Sequence, residues 1–339
     1  MIVVNFNRRE LLRACLQSLA QQSVTRLEVI VVDNGSSDGS VEMVESDFGH
    51  HSKFSLQLVR NTENRGFCEG NNQGIRRAGG DFVALLNNDA EANPDWLAEL
   101  ATPLLQREDI GMTASKILVY EDPQRIDKVG HLIYLDGQNR GRGAGQTDHG
   151  QFDKMEEVLW PDGCAAMYRK SMLDDIGGFD EDLFAYGDDA ELGMRARIAG
   201  WGCIYVPRAV VRHHRGATLG VLSSRRLELI ERNRALLALK HFPPSLLLQS
   251  IFYFMLRLGA GAWAAVRGKG EVGKFPGVSG KTRAALAVLE GNMEALTMIP
   301  LTIRKRRQIR HLRKLSNRQI RGLLMQYRIS LKELMEQAI

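Results

Sequence analysis

The 339-residue sequence has few cysteines and lacks two common nucleotide-binding motifs. Its four cysteines form no Cys-x-x-Cys pair and have no metal-ligand spacing. This pattern is typical of reduced, buried thiols and weighs against a disulfide framework. Neither a GxxxxGK(S/T) loop nor a GxGxxG turn follows the first predicted strand, which weighs against P-loop and dinucleotide-binding proteins. No signal peptide precedes the apolar run at residues 2–4, so we expect a cytoplasmic protein.

Charge is distributed unevenly along the chain. Residues 223–339 hold 22 Lys and Arg against 7 Asp and Glu, whereas residues 1–222 hold 23 against 33. The overall composition, 44% hydrophobic and 25% charged, is that of an ordinary globular protein. The split therefore predicts an acidic region suited to metal and polar substrates, followed by a basic region that seeks an anionic surface.

Strand and helix patterns alternate in the first half of the chain. The strand patterns fall at residues 1–4, 27–32, 55–59 and 82–86. With helical patterns between them, they predict an α/β fold with a doubly wound, mostly parallel sheet. Closely spaced glycines at residues 130–150 predict a mobile loop or hairpin outside the core. We place one domain at residues 1–222 and a basic helical region at residues 223–339.

A polar triplet ends the fourth predicted strand. Asn87, Asn88 and Asp89 follow five consecutive apolar residues, as expected for a strand buried on both faces. Ligands of open α/β sheets bind beyond the carboxyl ends of the strands. A hard cation such as Mg²⁺ or Mn²⁺ prefers oxygen ligands. Asp89 could therefore bind a cation while Asn87 orients it; the alternative is an Asx-rich turn.

An acidic triplet lies near residue 190. Asp188, Asp189 and Glu191 fall within four positions, behind Phe184 and Tyr186. Carboxylates this close repel one another, so the triplet makes sense if one member accepts a proton while its neighbours hold a cation or sugar hydroxyls. The alternative is an acidic helix N-terminus that the helix dipole stabilises.

Two C-terminal segments predict contact with a membrane. Residues 246–266 are apolar and nearly long enough to cross a bilayer, but Arg257 interrupts them. We expect an in-plane or re-entrant helix; a buried soluble helix and a true span are the alternatives. From Arg304 onward, basic residues interleave with leucines, as in a basic amphipathic helix.

Five ordered blocks within residues 1–220 carry a resemblance to a known family. The blocks are Val3-Val4-Asn5-Phe6-Asn7, Val32-Asp33-Asn34-Gly35-Ser36-Ser37-Asp38, Asn64-Arg65-Gly66-Phe67 with Gly70-Asn71-Asn72, Leu86-Asn87-Asn88-Asp89, and Gly177-Gly178-Phe179-Asp180 leading into Tyr186-Gly187-Asp188-Asp189. Together they resemble the family-2 glycosyltransferases, above all the rhamnosyltransferase-like members that build bacterial surface polysaccharides. The resemblance implies a GT-A fold, with a nucleotide-sugar-binding and catalytic domain at residues 1–222.

The resemblance also implies a donor site. Asp33 matches the acid that hydrogen-bonds the nucleotide base, and Asn7 lies beside it at the end of the first strand. Arg65 matches a position near the nucleotide or its phosphates, and Asn88 is expected to contact the donor as well. The donor would be a nucleotide-diphosphate sugar of the dTDP-rhamnose or UDP-sugar type.

A divalent cation, Mg²⁺ or Mn²⁺, is implied by the same resemblance. Asp89 matches the last acid of the DxD metal motif, but Asn87 stands where many relatives have Asp. His213 matches a histidine that completes the metal site in some relatives. Because His214 is adjacent, the sequence leaves the choice between the two histidines open.

The acidic triplet matches the catalytic end of the family site. Asp189 matches the general base of an inverting transfer, and Asp188, Glu191 and Asp162 are expected to contact the acceptor. That acceptor would be a glycan or a lipid-linked glycan. We therefore expect a peripheral enzyme on the anionic inner face of the cell membrane.

Two other classes remain as alternatives. A nucleotidyltransferase that makes nucleotide sugars shares a similar sheet, but it normally has a glycine-rich loop after the first strand, and residues 5–9 contain no glycine. A non-enzymatic protein could bind an anionic surface or nucleic acid through its basic tail. Few aromatics accompany those arginines and no nucleic-acid motif is present, so we expect no nucleic-acid partner.

Overall fold

The computed structural model describes residues 1–214 and 222–336. The strands are β1 (Ile2–Asn5), β2 (Glu28–Asp33), β3 (Ser55–Arg60), β4 (Phe82–Leu86), β5 (Ala90–Ala92), β6 (Ile110–Val119), β7 (Ile126–Lys128), β8 (His131–Ile133), β9 (Asn139–Gly141), β10 (Glu156–Glu157), β11 (Ala165–Arg169) and β12 (Gly202–His213). The α-helices are α1 (Arg9–Ala20), α2 (Ser40–Phe48), α3 (Gly66–Arg77), α4 (Trp96–Gln106), α5 (Lys170–Ile176), α6 (Asp188–Ile198), α7 (Ser224–His241), α8 (Pro244–Val266), α9 (Gly270–Gly273), α10 (Gly277–Thr297), α11 (Ile299–Gln308), α12 (Asn317–Gln326) and α13 (Leu331–Glu336).

The central sheet is mixed, but the four strands that the sequence predicted, β1 to β4, are parallel to one another. Its order is β10-β12-β6-β11-β4-β1-β2-β3. Strands β1 to β4 pair in parallel, and β11 is inserted antiparallel between β4 and β6. The carboxyl ends of β1, β2 and β4 therefore meet at one edge of the sheet. The predicted α/β fold with a helical C-terminal region is confirmed.

Helices cover both faces of the sheet because its strands are apolar on both sides. In β2, Val29 and Val31 belong to a hydrophobic cluster with buried residues of α1, α2 and α4. Ile30 and Val32 belong to a second hydrophobic cluster, with buried residues of α3, α5 and α6. Helix α3 approaches β1 closely near the N-terminal end of the helix, since a Cβ at Gly70 would lie 2.8 Å from Cγ1 of Val4. This contact fixes the N-terminal end of α3 beside the ends of β1 and β2.

The glycine-rich segment at residues 130–150 contains a hairpin, which is one of the two forms that the sequence predicted. Most of residues 131–144 are buried in the core. Strands β8 and β9 pair in antiparallel, and the turn between them carries Tyr134, Leu135 and Asp136, all less than 5% exposed. The hairpin is buried because α7 packs on it, and Arg234 donates to the Asp136 carbonyl at 2.9 Å. The hairpin alternative is therefore the form observed, and the expectation that the segment lies outside the core was wrong for residues 131–144.

The C-terminal region wraps back onto the sheet domain. Helix α12 buries Ile320 and Leu324 in the cluster that contains Trp160 and Met194, and farther on the backbone N–H of Ile329 donates to Ile133 at 3.0 Å. The predicted basic amphipathic segment from residue 304 is helical but not continuous, since the chain forms α11, a short 3₁₀ turn and α12. Not all of its cations face solvent.

Candidate active site

The carboxyl ends of three parallel strands are tied together by buried polar side chains. Asn88, just after β4, donates from Nδ2 to Oδ1 of Asn5 at 2.7 Å. Asn5, at the end of β1, donates from Nδ2 to Oδ1 of Asp33 at 3.0 Å, and Asp33 accepts from the backbone N–H of Ser36 at 2.8 Å. This strand-end chain brings two predicted donor residues, Asp33 and Asn88, to the edge where ligands bind in open α/β sheets.

Asn7 joins the same edge through the loop after β2. Its backbone N–H donates to Oγ of Ser36 at 2.7 Å, and its Oδ1 accepts from the N–H of Ser37 at 3.0 Å. Asn7 holds a positive φ of 58°, a conformation that Asn tolerates better than most residues. Arg65 lies apart from the strand-end chain, exposed at the N-terminal end of α3.

Asp89 and His213 face each other across the end of β4. Asp89 is 3% exposed, and its Oδ1 has no hydrogen-bond partner among the described residues. Nε2 of His213 lies 3.4 Å from this oxygen, close to the spacing of about 3 Å between adjacent ligands on a cation with bonds of about 2.1 Å. The pair therefore fits a divalent cation, which would satisfy the orphaned oxygen.

A residue that the sequence did not point to orients His213. Oδ2 of Asp127, in β7, lies 2.8 Å from Nδ1 of His213. A carboxylate on one ring nitrogen leaves the other free for a metal and fixes the ring, as is common for metal-binding histidines. Burial alone would lower the pKa of His213, but Cys164, Asp127 and Asp89 raise it well above its usual range.

His214, the alternative to His213, points elsewhere. Its ring stacks on Tyr120 with 3.6 Å between ring centroids, and its Nδ1 lies 2.9 Å from a carboxylate oxygen of Glu121. Only its backbone N–H contacts Asp89, at the carbonyl oxygen. The geometry therefore favours His213 as the predicted ligand.

The second group of predicted site residues surrounds His131. Nε2 of His131 lies 2.9 Å from Oδ2 of Asp162 and 3.3 Å from Oδ2 of Asp189. These three side chains have the composition of a cation site. However, Nζ of Lys128 already lies 2.6 Å from the same oxygen of Asp162. The ammonium takes the place that a cation would need, so this cluster fits a metal less well than Asp89 and His213.

Asp188 and Asp189 begin α6 but lie in different surroundings. Asp189 retains 12% side-chain exposure and accepts from the N–H of Gly163 at 3.4 Å and from that of Ala190 at 2.7 Å. Burial and the charge of Asp189 raise the pKa of Asp188 to about 8. Burial and the neighbouring charge thus favour the neutral form of Asp188, which leaves Asp189 as the better-placed base.

The loop before α6 is held in a strained shape by α7. Phe184 and Tyr186 have positive φ values of 63° and 66°, which for bulky residues costs on the order of 1–3 kcal/mol each. Asn233 of α7 offsets this cost, because its Nδ2 donates to the carbonyls of Leu183, Ala185 and Tyr186 at 2.6–3.0 Å. No motif in the basic C-terminal region predicted this contact.

Glu191, expected at the acceptor site, is instead part of the packing. Its carboxylate is 1% exposed and contacts Arg195 and Lys240 at 2.6 Å and His241 at 3.0 Å. Burial alone would raise the pKa of Glu191, but Arg195 and Lys240 hold it well below its usual range. Glu191 therefore fixes α7 against α6, and nothing in this arrangement leaves an oxygen for an acceptor.

Solved structures with a similar fold define the class. The structure of S. aureus TarS residues 1–349 in complex with UDP matches with a TM-score of 0.54 at 19% identity, covering 96% of this chain and 90% of that one. The mannosyltransferase PcManGT from Pyrobaculum calidifontis, in complex with GDP-Man and Mn²⁺, matches with a TM-score of 0.52 at 21% identity, covering 87% and 86%. The fold is of the GT-A type.

The family follows from the sequence comparison. The model of glycosyl transferase family 2 matches residues 1–177, so the chain belongs to this family and the resemblance is confirmed. The N-acetylglucosaminyl-diphospho-decaprenol L-rhamnosyltransferase of Mycobacterium tuberculosis is 26% identical over 65% of this chain and 76% of its own. The O-antigen biosynthesis protein RfbC of Myxococcus xanthus is 27% identical over 64% of this chain, which spans only 17% of RfbC.

The cation site generates a prediction. Replacement of Asp127 by Asn removes the charge that orients His213, and losses of this kind reduce metal affinity about 10- to 100-fold. Asp89→Ala should reduce it further because it removes a ligand. Mn²⁺ affinity measured by electron paramagnetic resonance, in the presence of a nucleoside diphosphate, tests both variants. The exposed Asp122→Asn is the control; equal Mn²⁺ affinity in Asp122→Asn and Asp127→Asn would contradict the assignment.

Proposed function

We propose that this protein is an inverting glycosyltransferase. It would move a sugar from a nucleotide-diphosphate donor, of the dTDP-rhamnose or UDP-sugar type, to a glycan or lipid-linked acceptor in the synthesis of a bacterial surface polysaccharide. The observation that carries this proposal is the meeting of two half-sites. The strand-end chain and Asp89 offer a donor site, and Asp189 lies on the acceptor side.

Backbone hydrogen bonds join the two half-sites. The N–H of Asn87, beside Asp89, donates to the carbonyl of Cys164 at 2.8 Å. One residue earlier, the N–H of Gly163 donates to Asp189. The proposed donor and acceptor residues are thus separated by a short, hydrogen-bonded stretch of the chain. The rhamnosyltransferase named among the relatives supports a donor of this class and a lipid-linked acceptor.

The proposed reaction is a single displacement. Asp189 accepts the proton of an acceptor hydroxyl while that oxygen bonds to the anomeric carbon from the side opposite the leaving group. The bond between that carbon and the diphosphate oxygen breaks, and the nucleoside diphosphate leaves. Asp89 and His213 would hold a divalent cation, which neutralises charge on the diphosphate. Asn7, Asp33 and the other strand-end residues would hold the nucleotide.

Replacement of Asp189 by Asn tests the proposed base. The amide has nearly the same shape but cannot accept the proton, and the loss of general-base catalysis typically lowers the rate about 10²- to 10⁴-fold. Donor affinity should be almost unchanged. Radiolabelled sugar transfer measures the rate, and calorimetric titration measures nucleotide affinity. Full turnover in Asp189→Asn would contradict the role, and Asp188→Asn is the comparison variant.

We further propose that α8 lies in the plane of a membrane surface. By length and composition, Pro244–Gly273 could cross a bilayer, and a bent pair of helices after it passes the same test as one span. However, α8 packs on the protein along one face, where Arg257 binds Glu231 at 2.7–2.8 Å and Asp136 at 2.6 Å. A helix attached in this way cannot be surrounded by lipid, so an in-plane position is favoured over a span.

The outward faces of α8 and α10 are apolar. On α8 the exposed side chains recur at helical spacing and are between 60% and 87% exposed: Leu248, Ile251, Phe252, Met255, Trp263 and Val266. On α10 a second stripe follows the same spacing: Leu286, Leu289, Met293 and Leu296. Exposed faces of this kind mark sites of interaction, and a headgroup region accepts such a helix.

Basic residues of the tail would add an electrostatic attraction. Arg304, Arg307, Arg310, Arg318 and Arg321 are exposed. Others are used internally, since Lys305 pairs with Asp180 and Arg306 donates to the carbonyl of Phe242 at 2.7 Å. The proposed membrane is therefore anionic, as the inner face of the cell membrane is.

Vesicle co-sedimentation tests this orientation. Binding should rise with anionic lipid and fall with salt, because each cation near such a surface contributes about 1 kcal/mol. Substitution of Leu248, Phe252 and Met255 by Ser should weaken binding to all vesicles, and Arg318→Glu with Arg321→Glu should weaken it only on anionic ones.

Leu105→Ser is the control, because Leu105 is 73% exposed on α4. Charge reversal is preferable to deletion of the tail, since deletion would uncover the core around Ile320. A triple Ser variant that binds like the wild type would contradict the in-plane assignment.

A further inference from the structure

A buried histidine lies between two carboxylates of the proposed acceptor side. His131 is 6% exposed, and its Nε2 faces Oδ2 of both Asp162 and Asp189, at 2.9 and 3.3 Å. Its Nδ1 is also buried and has no hydrogen-bond partner in the described chain. Since ionised carboxylates only accept hydrogen bonds, Nε2 must carry a proton for these contacts to be favourable.

The charges around His131 favour a second proton on the ring. Lys128 of β7 is the cation of this group, and Asp162, Asp188 and Asp189 are its acids; Tyr168 of β11 is buried nearby and neutral. Because burial favours the neutral form of Asp188, the other two carboxylates, Asp162 and Asp189, face one ammonium, that of Lys128. An imidazolium at His131 would balance the group, which matters because an uncompensated buried charge is costly.

We propose that His131 is a positioning residue that acts as an imidazolium: it pairs with the carboxylate of Asp189 and fixes the direction of its Oδ2. The catalytic meaning of this pair rests on the proposed function. The pair itself does not, because it depends only on geometry and charge. His131 would leave the chemistry to Asp189 and act only through its contact with that carboxylate.

The electrostatics of the site agree with this assignment. Burial alone would lower the pKa of His131, but Asp189 and Asp162 raise it to about 9. A histidine with a raised pKa is protonated below that value, so the pair with Asp189 is present at neutral pH and is lost as the pH rises through about 9. The stability that the pair contributes follows the same direction.

The pH profile of the His131→Gln variant tests the kinetic role. Gln retains an N–H donor but has no charge, so Asp189 would lose its cation while Asp162 remains close. An opposite charge within about 4–6 Å lowers the pKa of an Asp by about 1–3 units. The acidic limb of kcat/KM should therefore move to higher pH by about 1 unit or more. His149→Gln, at an exposed position, should leave the profile unchanged.

A uniform loss of activity in His131→Gln, with no shift of the acidic limb, would mean a merely structural role and would overturn the proposal. A second measurement does not need activity. In the full chain with labelled histidine, NMR follows the ring of His131, whose signal is identified by its loss in His131→Gln. The ring should stay protonated through pH 7.5, and its titration midpoint should fall by about 1 unit or more in Asp189→Asn.

A midpoint near the ordinary value of 6.5, or one that Asp189→Asn does not move, would overturn the pairing. If the wild type transfers sugar from no donor, the proposed function fails, but the NMR titration still decides the pairing. The two failures are therefore distinguishable.

Discussion

Compensation of buried carboxylates by buried cations is the constraint on which the rest of this structure depends. Asp136 contacts Arg257, and Glu191 and Asp180 both contact Lys240. Each pair joins elements that are distant in the sequence, and breaking a buried pair by removing one partner typically costs about 3–5 kcal/mol. The cations of the C-terminal region thus stabilise an acidic domain. The uneven charge of the sequence therefore reflects, in part, basic residues of the C-terminal region that pair with acidic residues of the sheet region inside the protein.

This constraint connects the C-terminal region to the proposed chemistry. Helix α7 fixes the strained loop before α6 through Asn233, and its Glu231 holds Arg257 of α8. Asp189 begins the helix that follows this loop. A membrane surface bound by α8 would therefore be one helix away from the proposed base, which suits an acceptor presented on a lipid. The helical region would then support the proposed catalytic site as well as form a candidate anchor.

The sequence predicted the parallel sheet and the places of Asp33, Asp89 and Asp189 because strand periodicity and family blocks are local signals. It did not predict Asp127 or His131. Both lie in short strands without periodicity, and only the fold brings them beside residues 31 to 86 positions away. The burial of the glycine-rich hairpin and the internal pairing of Lys305 were missed for the same physical reason. Glycine content and charge describe local preference, whereas burial against α7 and pairing with Asp180 decide the outcome.

Calorimetric titration with nucleoside diphosphates tests the central claim most directly. We propose that the strand-end chain and the pair of Asp89 and His213 form one donor site that depends on a cation. UDP or dTDP should therefore bind the wild-type chain with Mn²⁺ present, and chelation should weaken that binding at least about tenfold, or about 1.4 kcal/mol. Equal affinity after exhaustive chelation, or no binding of any nucleoside diphosphate with Mn²⁺ present, would contradict it.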